Sequence, residues 1–219
     1  MASNTINPNG FAPVKSLIGA AWNEQANLYC IPNDASNTYA IGDVVMSLAG
    51  ADANGVRKVV KWGGASTTSA LPLGIIVGFQ TPPGTSSLQG VPLTLEKVYI
   101  SKSAGDQYVY VVDDPFVVFE AQFDSTGATQ AQLSMNAAVT VVADQTSTLA
   151  QSAPYSNLVL TAPAVTATLP IRLLGAVQRS DNVVTSAASP YIRVLCKWNY
   201  HENGVTNGAS STIVSYLAV

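Results

Sequence analysis

An all-β fold, an antiparallel sandwich or jelly roll or a barrel, follows from three features of this sequence. Short alternating or continuous apolar runs recur along the chain, divided by Asn-Gly, Asp-Pro and Pro-Gly turn signals. β-Branched and aromatic residues crowd those runs, as in VYVVDDPFVVFEAQFD at 109–124. No window sustains the 3.6-residue apolar period of an amphipathic helix. Roughly eight to eleven short strands separated by such turns make a sandwich or a barrel.

The elements are expected in the following order. Residues 1–30 read as an extended N-terminal arm. Pro8, Gly10 and Pro13 break any regular period, and the isolated apolar residues Phe11, Val14, Trp22, Leu28 and Tyr29 suit a chain lying across a surface. Residues 31–202 read as the β-sandwich core. Within it, 41–48 and 56–62 pair as a hairpin through Asp52-Ala53-Asn54-Gly55, because Asn-Gly accepts positive φ. The run 73–79 is a continuous apolar strand, buried on both faces. Residues 63–70 and 81–90 are Ser/Thr-rich and Pro-containing loops, and 91–100 offers one or two strands. Strands at 108–112 and 116–123 flank Asp113-Asp114-Pro115, the second with Val117, Phe119, Ala121 and Phe123 on one face and Glu120 on the other. Residues 125–150 suggest a short helical turn and a strand at 139–142. Two β-like runs occupy 157–174, and 191–200 alternates with Cys196 on its apolar side. Residues 203–219 form a C-terminal tail ending in a charge-free apolar run. It either folds back or adds to a neighbour as a strand.

Composition narrows the function classes. Only 11% of residues are charged, against about 25% in an ordinary domain. Residues 62–95 carry no charge and 125–171 only Asp144. Protein interfaces are depleted of charge at their centres, so the chain suits close association with other subunits; a Ser/Thr-rich secreted binding module fits equally. The ten Lys and Arg form no run. The cluster Arg57, Lys58, Lys61 and Trp62 would split between two faces of a strand, so no nucleic-acid partner is expected. The first residues lack a basic segment and an apolar core, so they do not read as a signal peptide. No run is long enough for a membrane helix. Cys30 and Cys196, with no CxxC and no Cys/His cluster, read as free thiols and not as metal ligands.

Four acids, Asp113, Asp114, Glu120 and Asp124, fall close together. Adjacent aspartates point oppositely on a strand, and Asp-Pro favours a turn, so a structural turn is the expectation over a catalytic or calcium site. His201, the only histidine, is expected at the surface, since no nucleophile motif accompanies it. Trp22, Trp62 and Trp198 could form a sugar platform, with packing the preferred reading. No catalytic, cofactor or metal residue is assigned.

The blocks NPNGFAPVK (7–15), AWNEQANLYCIP (21–32), GDVV (42–45), ADANGV (51–56), LPLGIIVGF (71–79), YVYVVDDPFVVFEAQ (108–122), TATLPIRLLGAVQRSDN (166–182) and YIRVLCKWNYHE (191–202) resemble, in this order, the capsid decoration (cement) proteins of tailed bacteriophages. DDPFVVFE is the most specific of them. The inserts at 63–70 and 81–90 and the extension beyond Glu202 depart from that pattern. The resemblance implies a β-sandwich or jelly roll on the outer surface of an assembled shell. Such a protein bridges major capsid subunits, associates with copies of itself as a dimer or trimer, and has no enzyme activity or cofactor. It implies localisation on the virion after synthesis in the host cytoplasm. The contact residues expected from the chain's ends are Phe11, Val14, Trp22, Tyr29, Ile213, Tyr216 and Leu217, and deletion of 1–25 is expected to leave a folded domain. The alternative is a carbohydrate- or receptor-binding module of a phage tail or fibre.

Overall fold

The computed structural model describes residues 4–33, 37–63, 71–80, 99–100, 105–142 and 156–204. These residues are nearly all β, as the sequence predicts, with thirteen strands and one 3-10 turn, Gln130–Gln132. No helix among them is long and apolar enough to cross a membrane.

Two sheets carry the architecture. Strands β2 (Asn27–Ile31), β5 (Arg57–Lys61), β4 (Val44–Ala51), β6 (Gly74–Gln80) and β8 (Gln107–Val112) close into a barrel in that order. The join between β2 and β5 is parallel, at Cys30 opposite Lys58. The second sheet runs β1 (Ala12–Ser16), β9 (Val117–Gln122), β13 (Arg193–Trp198), β12 (Ile171–Ala176), β10 (Asn136–Val141) and β11 (Leu158–Ala164). It curls far enough for Phe123, just past β9, to bridge Leu160 of β11. A short pair, β3 (Tyr39–Ala40) with β7 (Tyr99–Ile100), completes the set.

Alternation along the strands explains how these sheets pack. Val45, Ile76 and Val111 point into the barrel, with Tyr29, Ile31, Val59, Phe79 and Val109. Their neighbours Val44, Ile75 and Val112 are cross-strand partners on the opposite face of the wall. They join Val117, Phe119, Ala121, Phe123, Val194, Cys196 and Trp198 in the core of the second sheet. The barrel wall is therefore apolar on both sides, which is why LGIIVGF lacks alternation. Each such side chain contributes about 1.5–3 kcal/mol of burial. Pro163 lies on β11, an edge strand, where its missing N–H leaves no ladder bond unmade. The register shifts there, and Ala162 takes φ 46°.

The N-terminal segment is extended, but it is not an arm outside the core. Phe11 is 2% exposed, its ring centroid 6.5 Å from Phe119 and 5.8 Å from Trp198. β1 pairs with β9 at one edge of the sheet. β2 crosses the expected boundary at residue 30 and forms part of the barrel wall. Gly10 and Gly42 hold the crossing point. Both have positive φ, and a Cβ on Gly42 would stand 2.2 Å from the Asn9 carbonyl oxygen. Ahead of them, Gln122 accepts a hydrogen bond from the Asn7 amide and donates to the Thr5 and Tyr191 carbonyls. The segment fills the core because Phe11 completes an aromatic cluster that the strands alone leave open.

The expected hairpin exists as β4 and β5. Asp52 Oδ1 accepts from the Asn54 and Val56 amides at 2.9 and 2.8 Å, and Gly55 takes φ 81°. Cys30 and Cys196 are both buried and unpaired. The loop at 64–70, most of 81–100 and the tail beyond Gly204 lie outside the described residues.

Candidate functional site

The four acids do not converge on a cleft. Asp114 Oδ1 accepts from the Phe116 amide at 2.8 Å, closing the turn before β9. Asp113 points the other way and ties that turn to the barrel. It accepts the Tyr29 hydroxyl at 2.6 Å and the Asn27 amide nitrogen at 2.9 and 3.0 Å. Burial first, and then this bond, push the Tyr29 hydroxyl well above the usual phenol range. Glu120 faces outward and pairs with Arg193 and Arg179 at 3.2 and 3.6 Å. Asp124 Oδ1 accepts from the Thr126 amide at 2.9 Å in its own turn. Each carboxylate thus holds backbone or a neighbour in place. Among the described residues no three His, Cys, Asp or Glu side chains gather as a metal site would need.

His201 is not at the surface. It is 2% exposed, its ring centroid 6.1 Å from that of Trp198, and Nδ1 accepts from the Asn203 amide at 3.0 Å. Nε2 makes no hydrogen bond of good geometry among the described residues. Burial lowers its pKa to about 4, outweighing the Leu73 carbonyl and the charges of Asp113 and Asp114, which favour the proton. The imidazole is therefore a neutral core group. Its burial escaped the alternation argument because β13 stops at Trp198, and the chain turns before His201.

Four of the eight described Lys and Arg side chains form ion pairs within the molecule. Lys61 Nζ reaches Asp43 at 2.8 Å, and Asp43, 1% exposed, also accepts from the Ala40 amide and the Ser156 hydroxyl. Arg57 pairs with Glu202 at 3.2 Å and lies 5.7 Å over the Tyr29 ring. Arg179 also meets Asp181 at 3.3 Å. Trp62 and Trp198 are buried, and Trp22 is half-buried against the core, so the three tryptophans form no platform.

Of the expected contact residues, Phe11 and Tyr29 are corrected. Both are buried within the chain, one in the aromatic cluster and the other in the barrel with its hydroxyl bound to Asp113. Val14 is exposed, and Trp22 packs on the core. Ile213, Tyr216 and Leu217 lie outside the described residues. The exposed apolar pair that the structure brings together is one the sequence reading missed. After β1 the chain reverses through a turn closed by the Ser16 amide to the Ala20 carbonyl, and the Leu17 amide donates to the Phe116 carbonyl at 2.8 Å. That bond sets Leu17 (41% exposed) beside Phe116 (59%); Ile18 (87%) follows Leu17 in the turn. The signal was present: Ile18 precedes Gly19 in a turn, and Phe116 follows Asp-Pro, where side chains face water.

No protein-family model and no curated protein matches this chain.

Proposed function

We propose that this chain is a structural protein of a tailed-phage virion, a decoration or cement protein that binds the outer face of the assembled shell and bridges major capsid subunits. The observation that carries the reading is the shortage of charge. Only 11% of residues are charged, and Arg57, Lys61, Arg179 and Arg193 are paired within the molecule. A chain so poor in charge loses little by being desolvated against another protein. The all-β fold and the eight ordered sequence blocks agree with it. Contact with the shell does not depend on a free N-terminal arm, since that segment belongs to the core.

Negative-stain imaging of particles labelled with antibody to this chain tests the reading. Label over the whole shell supports it. Label at the tail tip supports receptor binding, and unlabelled particles refute both.

A further inference from the structure

A cleft of about 180 Å³ opens between residues 4–7, the loop at 179–182 and the chain entering β13 at Tyr191 and Arg193. Among the described residues its lining is polar or charged, with Tyr191 the aromatic member and no aliphatic one. Such a lining offers hydrogen bonds to a small hydroxyl-rich ligand and little to an apolar one. Three amide side chains fix its walls. Asn4 bridges the Val183 and Pro190 carbonyls and the Val183 amide. Asn182 bridges the Val177 and Arg193 carbonyls and the Arg193 amide. Gln122 ties Thr5 and Asn7 to Tyr191. Tyr191 itself takes φ 56°, a left-handed conformation that costs a bulky residue about 1–3 kcal/mol. Its amide donates to the Asp124 carbonyl and its carbonyl accepts from Gln122, so the surroundings enforce it. Backbone strain of this kind collects at ligand sites, and here it falls on the aromatic residue of the cleft.

Charge selects the ligand. Arg193 Nη1 and Arg179 Nη1 both approach Oε1 of Glu120, at 3.2 and 3.6 Å. Two guanidiniums on one carboxylate leave an excess of one positive charge. The acid that offsets it is Asp181, 3.3 Å from Arg179 Nε. Its side chain is 71% exposed and that of Arg179 43%, and an ion pair so open to water contributes little. A ligand carboxylate can take that place on the guanidinium, in the bidentate geometry that Arg favours. We propose that the cleft binds an acidic sugar of the hexuronate class, its carboxylate on Arg179 and its ring and hydroxyls beside Tyr191, Thr5 and Asn7. The inference goes beyond the shell reading and does not rest on it.

Calorimetric titration of the full chain with glucuronate, and with glucose and acetate at matched ionic strength, tests it. Saturable glucuronate binding, at least about tenfold tighter than either comparison compound, is expected. Arg179→Gln should weaken it about tenfold, the effect of one charge-assisted contact. Asp181→Asn removes the competing carboxylate and should tighten it severalfold. Urea unfolding checks that each variant folds, and Asp181→Asn decides alone if the first does not. No saturable binding overturns the proposal. Glucose binding as tightly as glucuronate overturns it by denying the carboxylate a role, and acetate doing so overturns it by denying the sugar ring one. Glucuronate affinity left unchanged by either substitution in a folded variant overturns it as well.

Discussion

Asp43 and His201 are buried groups whose energetics can be measured directly. Asp43 is the acceptor that joins β4, the Ala40 amide, Ser156 and Lys61. Removing it leaves the Lys61 ammonium, itself largely covered, without its counter-charge. Asp43→Ala is expected to cost about 3 kcal/mol in urea unfolding, and a loss below about 1 kcal/mol would mean that water replaces the carboxylate. His201 has a folded pKa of about 4, below its ordinary 6.5. Above pH 6.5 it is neutral in both states and pH has no leverage through it. As pH falls through 6.5 the unfolded chain takes up a proton that the folded chain refuses. Stability therefore drops, by up to about 3 kcal/mol near pH 4. His201→Gln should flatten that stretch of the stability profile relative to the parent; an equally steep profile would show that other groups carry it. Gly42 isolates a steric effect. Gly42→Ala meets the Asn9 carbonyl oxygen at 2.2 Å, whereas Gly50→Ala, at similar φ, meets nothing within 4 Å. The first should cost at least about 1 kcal/mol more than the second, which bears backbone strain alone.

At the scale of elements, local pattern was a good guide wherever a strand had one dry face or two. The Asn-Gly hairpin, the doubly buried LGIIVGF strand, the common core face of Val117, Phe119, Ala121 and Phe123 and the inward Cys196 of β13 were legible, because period and turn chemistry are properties of neighbouring residues; that Val118 and Gln122 on the other face of β9 are buried as well was not. The N-terminal strand was not. APVKS has no clean alternation, and its place at the sheet edge is set by Phe11 completing a cluster with Phe119 and Trp198, residues distant in sequence. The same blindness hid the Asp43–Lys61 pair and the bond from Leu17 to Phe116. A residue's partner across the fold leaves no trace in its own neighbourhood. The acids at 113 and 114 were legible as a turn, but the tie from Asp113 to Tyr29 was not, since the two are far apart in sequence. Deleting residues 1–25 is now expected to cost cooperativity instead of leaving an intact domain. Losing a buried Phe alone costs about 3–5 kcal/mol, against a typical total of 5–15, and β9 loses its neighbour as well. A truncated protein with an unchanged, sharp urea transition would show that the segment is dispensable after all.

For the whole molecule, the charge deficit ties composition to structure. A curled sheet and a barrel share one apolar wall, and several of the scarce ions lock segments together inside the molecule. A chain with so few charges has little to repel a neighbouring protein. On this account the protein acts by being held against other chains, and the strength of that hold depends weakly on salt. The measurement that tests this most directly is addition of the purified chain to shells assembled without it. Saturable binding, little changed by salt and accompanied by a rise in the temperature at which the shells rupture, is the predicted result. Shells that neither retain the chain nor gain resistance to heat would contradict the account.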